Sequence, residues 1–541
     1  MKNILAYLFI ALLLSSCFKG QEVDLIIHNA HIHSLNRYDH VFEAMAIKDG
    51  VILELGPERE ILNKYRGKSI DAQDKHIYPS FTDAHGHLFW SGDKRLTCDL
   101  TGSQSMNEVI NRLEKYQAQY NPKVLVGRGW DQSLWANKEL PTNEKLNTIF
   151  PDVPVILYRI DEHAILVNEA SIIKAGLTAS TTVTGGEILK NESGQLTGIV
   201  LDNAIDLFKK VLPKTNNKDL KRAILEIQEE LLEFGITDVH EAGITLDQLE
   251  LLKELEQEGK LKITIYTMLF PGKKEIAFAM NEGYYESEHL LVRSFKVIGD
   301  GALGSRGACL IHPYHDAPHT HGFMLSSLDS IRKVAEISIN TGYQMNVHCI
   351  GDSTNRSVLK MMVDMTAKNK DHRWRIEHAQ VVNPNDLQFF EGTGIIPSVQ
   401  PTHAVSDMRF VGDRLGKERE KHAYIYKTLL DKAKLLAIGT DFPVELYNPF
   451  LTFQAAVKRQ NADHQPKDGY QMQEAISAYD CLKGMTIWAA LASFQEHIKG
   501  SLEPQKHANF IILNAPLEDY SDFTKNYVLR TFIKGQEAFG M

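Results

Sequence analysis

With 43% hydrophobic and 24% charged residues in 541, the chain has the make-up of a folded soluble protein, and no long polar low-complexity tract marks disorder. A formal net charge of -10 without a block of Lys and Arg excludes the basic footprint that nucleic-acid binding requires, and favours a small-molecule partner. The length suits one large α/β barrel with insertions or several ordinary domains, and leaves a homo-oligomer open.

The first residues, "MKNILAYLFIALLLSSCFKG", carry Lys2, an apolar run from Ile4 to Leu14, and then Leu14-Ser15-Ser16-Cys17. The run is short for a bilayer span, and small residues precede the cysteine, so the segment resembles a bacterial lipoprotein signal. Residues 1–17 are then expected to be a processed leader ending at a lipidated Cys17. Acyl chains would anchor the mature chain to a cell-envelope membrane, facing the periplasm or the exterior. Phe18, Lys19 and Gly20 lack an acidic retention signal, which favours the outer membrane. Cys98, Cys309, Cys349 and Cys481 show neither paired nor Cys-x-x-Cys spacing and read as ordinary thiols.

Next, "VDLIIHNAHIHSLN" alternates like a strand, and "AMAIKDGVILELG" reads as a hairpin turning at Asp49-Gly50. Near the other end, "HANFIILN" and "YVLRTFIKGQEAF" are short β runs, the second turning at Lys534-Gly535. Residues 22–76 and 500–541 are therefore expected to form one small β-sandwich-like domain built from both termini.

Between them lie eight short apolar or β-branched runs that stop at a polar residue: "HIYPSFTDAH", "VPVILYRIDEH", "GITDVHEAG", "FKVIGDG", "YQMNVHCIGD", "WRIEHAQ", "GIIPSVQPTH" and "LLAIGTDFP". Helix-forming stretches such as "LKRAILEIQEELLEFG" and "STNRSVLKMMVDMTAKN" alternate with them. The rhythm predicts a TIM-type (β/α)8 barrel over residues 77–499. In that fold reactive side chains gather at the C-terminal strand ends. The segments 88–153 and 164–233 exceed simple crossovers and are expected to hold a subdomain over the barrel mouth.

Three His-x-His triplets occur, and with 22 histidines about one is expected by chance. His31 and His33 fall in a terminal strand, and His319 and His321 in a Pro/Gly-containing loop. His85 and His87 end the first barrel run, on one face of a strand, where both could ligate one ion. Lys296, His348, His378 and Asp441 stand at matching places in later runs. A lysine in an apolar strand has a lowered pKa and can form a carbamate that bridges metals; the alternative is an ion pair with Asp300.

These residues, with "GRGWDQSLW", "PVILYRIDEHAILVN", "GGEILKNESGQLTGIVLDNA", "FKVIGDGALGSRGA", "HCIGD", "RIEHAQ", "SVQPTHAVSD" and "IGTDFPVELYNPF" in that order, resemble the metal-dependent amidohydrolase superfamily, and more narrowly its YtcJ-like branch, amidohydrolase family 3. Glu241 in "VHEAG" stands where that pattern leads one to expect aspartate, and "LEPQKHANFIIL" lacks its usual glycine and aspartate.

The resemblance implies that His85, His87 and Asp441 bind one divalent ion, expected to be zinc. His348 and His378 would bind a second, with carboxylated Lys296 between the two. It further implies hydrolysis of an amide-like C–N bond in an N-acyl, N-formyl or related small substrate. Metal-activated hydroxide would attack, and Asp441 would move the proton. Trp130 is a candidate pocket wall or a core residue, as is Trp135. His163 and His403 are candidates to hydrogen-bond the substrate, or structural histidines. Arg375 and Glu377 flank His378 and alternate away from it, which suits supporting or packing roles. Deamination, ester hydrolysis or hydration on the same barrel, and a non-catalytic solute-binding lipoprotein, are the competing readings.

Overall fold

A computed structural model describes residues 20–369, 371–517 and 522–541; the expected leader, Cys17 included, lies outside the described residues. The chain divides into two compact units. One holds the described residues up to Ser80 together with His497–Pro516 and Val528–Met541, and the other Phe81–Glu496 with the described residues of Leu517–Tyr527. The boundaries thus fall at Ser80 and Glu496, close to but not at the expected 76 and 500.

In the first unit the terminal strands make a single sheet of eight strands. Phe510–Leu513, from the C-terminal part, pairs antiparallel with Tyr65–Pro79, from the N-terminal part. Register shifts between Glu22 and Leu25 and between His28 and Ala30 interrupt the pairing of the long strand Gln21–His33 with Tyr65–Pro79. Such bulges let one continuous sheet bend where two separate layers were expected. Asp49 and Gly50 adopt φ of 51° and 78°, and Lys534 and Gly535 47° and 72°, as two-residue hairpin turns with both central residues left-handed require. His31 and His33 lie in the first strand, with His33 Nε2 3.0 Å from His76 Nδ1.

The second unit contains eight parallel strands: β1 (Phe81–Gly86), β2 (Ile236–Ile244), β3 (Thr264–Leu269), β4 (Leu290–Ile298), β5 (Gln344–Cys349), β6 (Arg375–His378), β7 (Ile396–Val399) and β8 (Ala437–Ile438). β2 and β5 are buried along their whole length although they carry Asp238, His240, Glu241, Gln344, Asn346 and His348, as strands of a parallel sheet covered on both faces are. The seam between β1 and the exit of β8 is drawn together by Asp441 N–H donating to the His85 carbonyl (2.7 Å) and His87 N–H donating to the Phe442 carbonyl (2.8 Å). Gly439 makes this approach possible, since a Cβ there would lie 2.3 Å from His85 N. The result is a TIM-type barrel.

One expected strand is replaced. "VPVILYRIDEH" contributes Val155–Arg159 to a separate six-stranded sheet and not to the barrel. The third barrel strand is instead Thr264–Leu269, "TIYTML", which ends on an apolar residue and so escapes a search for runs closed by polar side chains. The six-stranded sheet runs from Cys98–Asp99 to Leu196–Asp202, one contiguous insertion between β1 and β2.

Helices follow the sequence pattern. In Asn217–Glu233 the residues Leu220, Ile224, Ile227 and Leu231 form a buried stripe, and the Asn216 side chain caps the Lys218 amide. All four described cysteines are free.

Candidate metal centre

The cluster sits at the C-terminal end of the barrel strands. His85 and His87, at the end of β1, are 0% and 3% exposed. The His85 imidazole is oriented by a bond on Nδ1, which leaves Nε2 for the centre. His85 Nδ1 bonds the Glu377 carboxylate, itself 3.0 Å from Arg375 Nη2, and His85 Nε2 then lies 3.1 Å from Lys296 Nζ and 3.4 Å from Asp441 Oδ1. His87 Nε2 lies 3.0 Å from the same oxygen. His378 Nδ1 is 2.8 Å from Gln400 Oε1. The His348 ring packs at 4.5 Å from that of His378. All six residues named from the sequence as ligands thus meet in one place. His378 and Asp441 hold left-handed backbone, with φ of 73° and 62°, a cost that tends to be tolerated where a side chain must be aimed.

Two donor groups are tight enough to grip an ion: His85, His87 and Asp441, and His378, His403 and Asp441. The second joins His403, from the first turn of the helix Pro401–Leu415, to His378 and Asp441, where the sequence led one to expect His348 beside His378. His403 Nε2 is 3.6 Å from Asp441 Oδ2. The buried Nε2 atoms of both His348 and His403 have no hydrogen-bond partner, which is the state of imidazoles that await a cation or substrate.

Protonation states fit the same purpose. Burial lowers His85 to about 4, and holds His348 and His378 well below the usual imidazole range. Burial pushes the Asp441 carboxyl up, but the His87 hydrogen bond and the nearby imidazoles outweigh it and hold it well below its ordinary value. Neutral imidazoles and an ionised carboxylate are the ligand forms that divalent ions need. Burial also brings the Lys296 amine down to about 8, so its neutral form is within reach at mildly alkaline pH. Lys296 makes no pair with Asp300. That carboxylate instead accepts the amides of Cys309, Ile350 and Gly351 at 2.8–2.9 Å.

A cavity of about 670 Å³ opens over the cluster, one wall supplied by the six-stranded sheet. His163 lies in the turn before the strand Ala164–Val167 and not at a barrel strand end, yet its ring reaches 5.2 Å from His348 and its Nδ1 lies 2.6 Å from Asp202 Oδ1. Trp130 is not a pocket wall. It is 1% exposed in an apolar cluster with Trp135, and its indole N–H donates to the Leu157 carbonyl at 2.8 Å. Backbone alternation turned it inward, while its neighbours Gly129 and Asp131 face the cavity. Among the aromatic residues that do line the cavity, Trp90 stacks on His87 at 3.9 Å. Its position three residues past His87, at a helix start, was the available signal. His319 and His321 are exposed.

An eight-stranded barrel whose strand ends present buried imidazoles, a carboxylate and a lysine defines a class of hydrolase scaffold able to hold divalent ions. The amidohydrolase family model matches residues 68–539, and the chain belongs to that family. The solved structure of an uncharacterized metal-dependent hydrolase from Pyrococcus horikoshii OT3 is similar at 27% identity and a TM-score of 0.74, covering 92% of this chain and 99% of that one. The protein YtcJ of Bacillus subtilis (strain 168), named as a "putative amidohydrolase", is 30% identical over 503 residues, 90% of this chain and 94% of its own length. The N-substituted formamide deformylase of Arthrobacter pascens is 25% identical over 542 residues, 95% of this chain and 98% of its own.

Proposed function

We propose that the chain is a metal-dependent hydrolase that cleaves an amide-like C–N bond, other than a peptide bond, in a small N-acyl or N-formyl substrate. The observation that carries this reading is the convergence of His87, His348, His378, His403, Asp441 and Lys296 at one cavity, with the buried His85 against Lys296 and Asp441. Similarity to the formamide deformylase supports the choice of bond. His85, His87 and Asp441 would hold one ion. His378, with His403 or His348, would hold a second, and a carbamate on Lys296 would lie between them. Zinc suits the imidazole and carboxylate donors. Such an ion acidifies water and polarises a carbonyl.

The protein's own groups do the rest. Asp441, ionised and within reach of both donor groups, accepts a proton from the attacking water and returns it to the departing nitrogen. His163, held through Nδ1 by Asp202, presents its other nitrogen to the substrate oxygen. Glu377 fixes the tautomer of His85. In the cell, we place the mature chain on an envelope membrane, the outer one in preference, through lipid on Cys17.

The test is turnover of N-formyl and N-acyl amines by the zinc-loaded chain lacking residues 1–17. Release of formate or carboxylate, reduced by roughly 10³-fold or more in Asp441→Asn, is expected. Failure to turn over any member of such a series would overturn the reading. Radiolabelled palmitate incorporation, lost in Cys17→Ala, tests the anchor.

A further inference from the structure

Apart from Lys296 in the metal cluster, the described cations that line the cavity are engaged, while three of its carboxylates, Asp93, Asp407 and Glu445, have hydrogen bonds but no ion pair; that of Asp93 is with Thr215. Arg128 pairs with Glu162, Arg159 with Asp131 at 3.0 Å and with Asp161, Arg409 with Asp131 at 2.9 Å, Lys209 with Asp206 at 2.9 Å, and Lys94 donates to the Pro443 carbonyl at 3.4 Å. Asp407 and Glu445 also face the cavity. Asp407 Oδ2 accepts from Tyr424 Oη at 2.6 Å and from Gln380 Nε2 at 3.2 Å, and Glu445 Oε1 accepts from Ser406 Oγ at 2.6 Å. Among the described residues neither has an ion-pair partner within 4 Å, and burial pushes both carboxyls up.

A separate observation points to a ligand here. Gln380, only 4% exposed, lines the same cavity, spends its amide N–H on Asp407, and leaves its buried Oε1 without any partner. This wall therefore offers three acceptors, Gln380 Oε1, Asp407 and Glu445, to whatever occupies the cavity. A buried acceptor such as Gln380 Oε1 is costly unless a donor meets it, and the two partly buried carboxylates beside it favour a charged donor.

Resting on the hydrolase reading, we infer that the substrate carries a cationic nitrogen, a protonated amine or amidine, which docks on Asp407, Glu445 and Gln380. Asp407 lies four residues beyond His403 on the helix Pro401–Leu415, a rise of about 6 Å. A spacer of a few carbons would thus separate the cation from the bond to be cleaved, as in an N-acylated short diamine.

The probes are N-formyl-1,4-diaminobutane and its neutral isostere N-formylpentylamine, given to the zinc-loaded enzyme, with 1,4-diaminobutane binding followed by calorimetry. The cationic probe should show a kcat/KM at least about tenfold higher, carried mostly by KM. Asp407→Asn/Glu445→Gln should bring the two probes near parity, and Glu445→Gln alone should give an intermediate loss. Equal turnover of both probes by the wild type would overturn this inference and leave the hydrolase reading standing. Binding of 1,4-diaminobutane that the double variant loses, with neither probe hydrolysed, would keep the cation site and remove the hydrolase reading. Neither binding nor turnover would overturn both.

Discussion

The Glu241 carboxylate accepts the Leu88 amide at 2.6 Å, across 153 positions of sequence, and so caps the helix Leu88–Arg95 that begins one residue after His87. Glu241 stands at the C-terminal part of β2 and is fully buried. A carboxyl oxygen on the first free amide of a helix satisfies a donor that has no partner within the helix. It also fixes the point where the chain leaves His87. Glu241→Ala should therefore weaken zinc binding by about 10-fold to 100-fold, the usual effect of removing a group that orients a ligand. Competition with a chromophoric chelator measures it.

The same residue makes stability depend on pH. Burial raises the Glu241 carboxyl to about 8, above its ordinary value of 4.5. The protonated form is favoured by folding, so its contribution is complete below pH 4.5 and is lost as pH rises through 8. The loss amounts to at most about 1.4 kcal/mol per pH unit in that window. Glu241→Gln, which cannot ionise, should flatten the decline in unfolding temperature between pH 5 and pH 8. Parallel wild-type and variant melting curves across that range would show that Glu241 does not titrate there.

Arg375 and Glu377 form a pair with both side chains fully buried, and the carboxylate also holds His85 Nδ1. Arg375→Met leaves an uncompensated charge in the barrel and should cost about 3–5 kcal/mol in denaturant unfolding. Glu377→Gln should lower metal affinity more than it lowers stability.

Trp130 and Trp90 separate packing from recognition. Trp130→Ala should destabilise by about 3–5 kcal/mol through the cavity it leaves in the apolar cluster. Trp90→Ala, at a half-buried position on the cavity wall, should chiefly raise KM. Unfolding curves and steady-state kinetics on both variants distinguish the two effects.

Much of this arrangement was legible in the chain itself. His85, His87, His348, His378 and Asp441 each end an apolar run and Lys296 lies within one, and chemistry on such runs is a local signal. Thr264–Leu269 was missed because it is a barrel strand without a polar terminus. "VPVILYRIDEH" was misplaced because a strand of the inserted sheet has the same composition as a barrel strand. The pairing of His163 with Asp202, and the cap that Glu241 places on Leu88, depend on contacts between distant segments that no local pattern encodes. His403 as a donor beside His378 is likewise a matter of where a helix start falls, not of motif spacing.

The most direct test of the central claim is the metal content of the chain lacking residues 1–17, after reconstitution with zinc and bicarbonate and removal of free ions. The account predicts about two tightly held ions per chain, falling to one or none in His85→Ala and His378→Ala while the fold persists. A folded protein that retains no stoichiometric metal would contradict it.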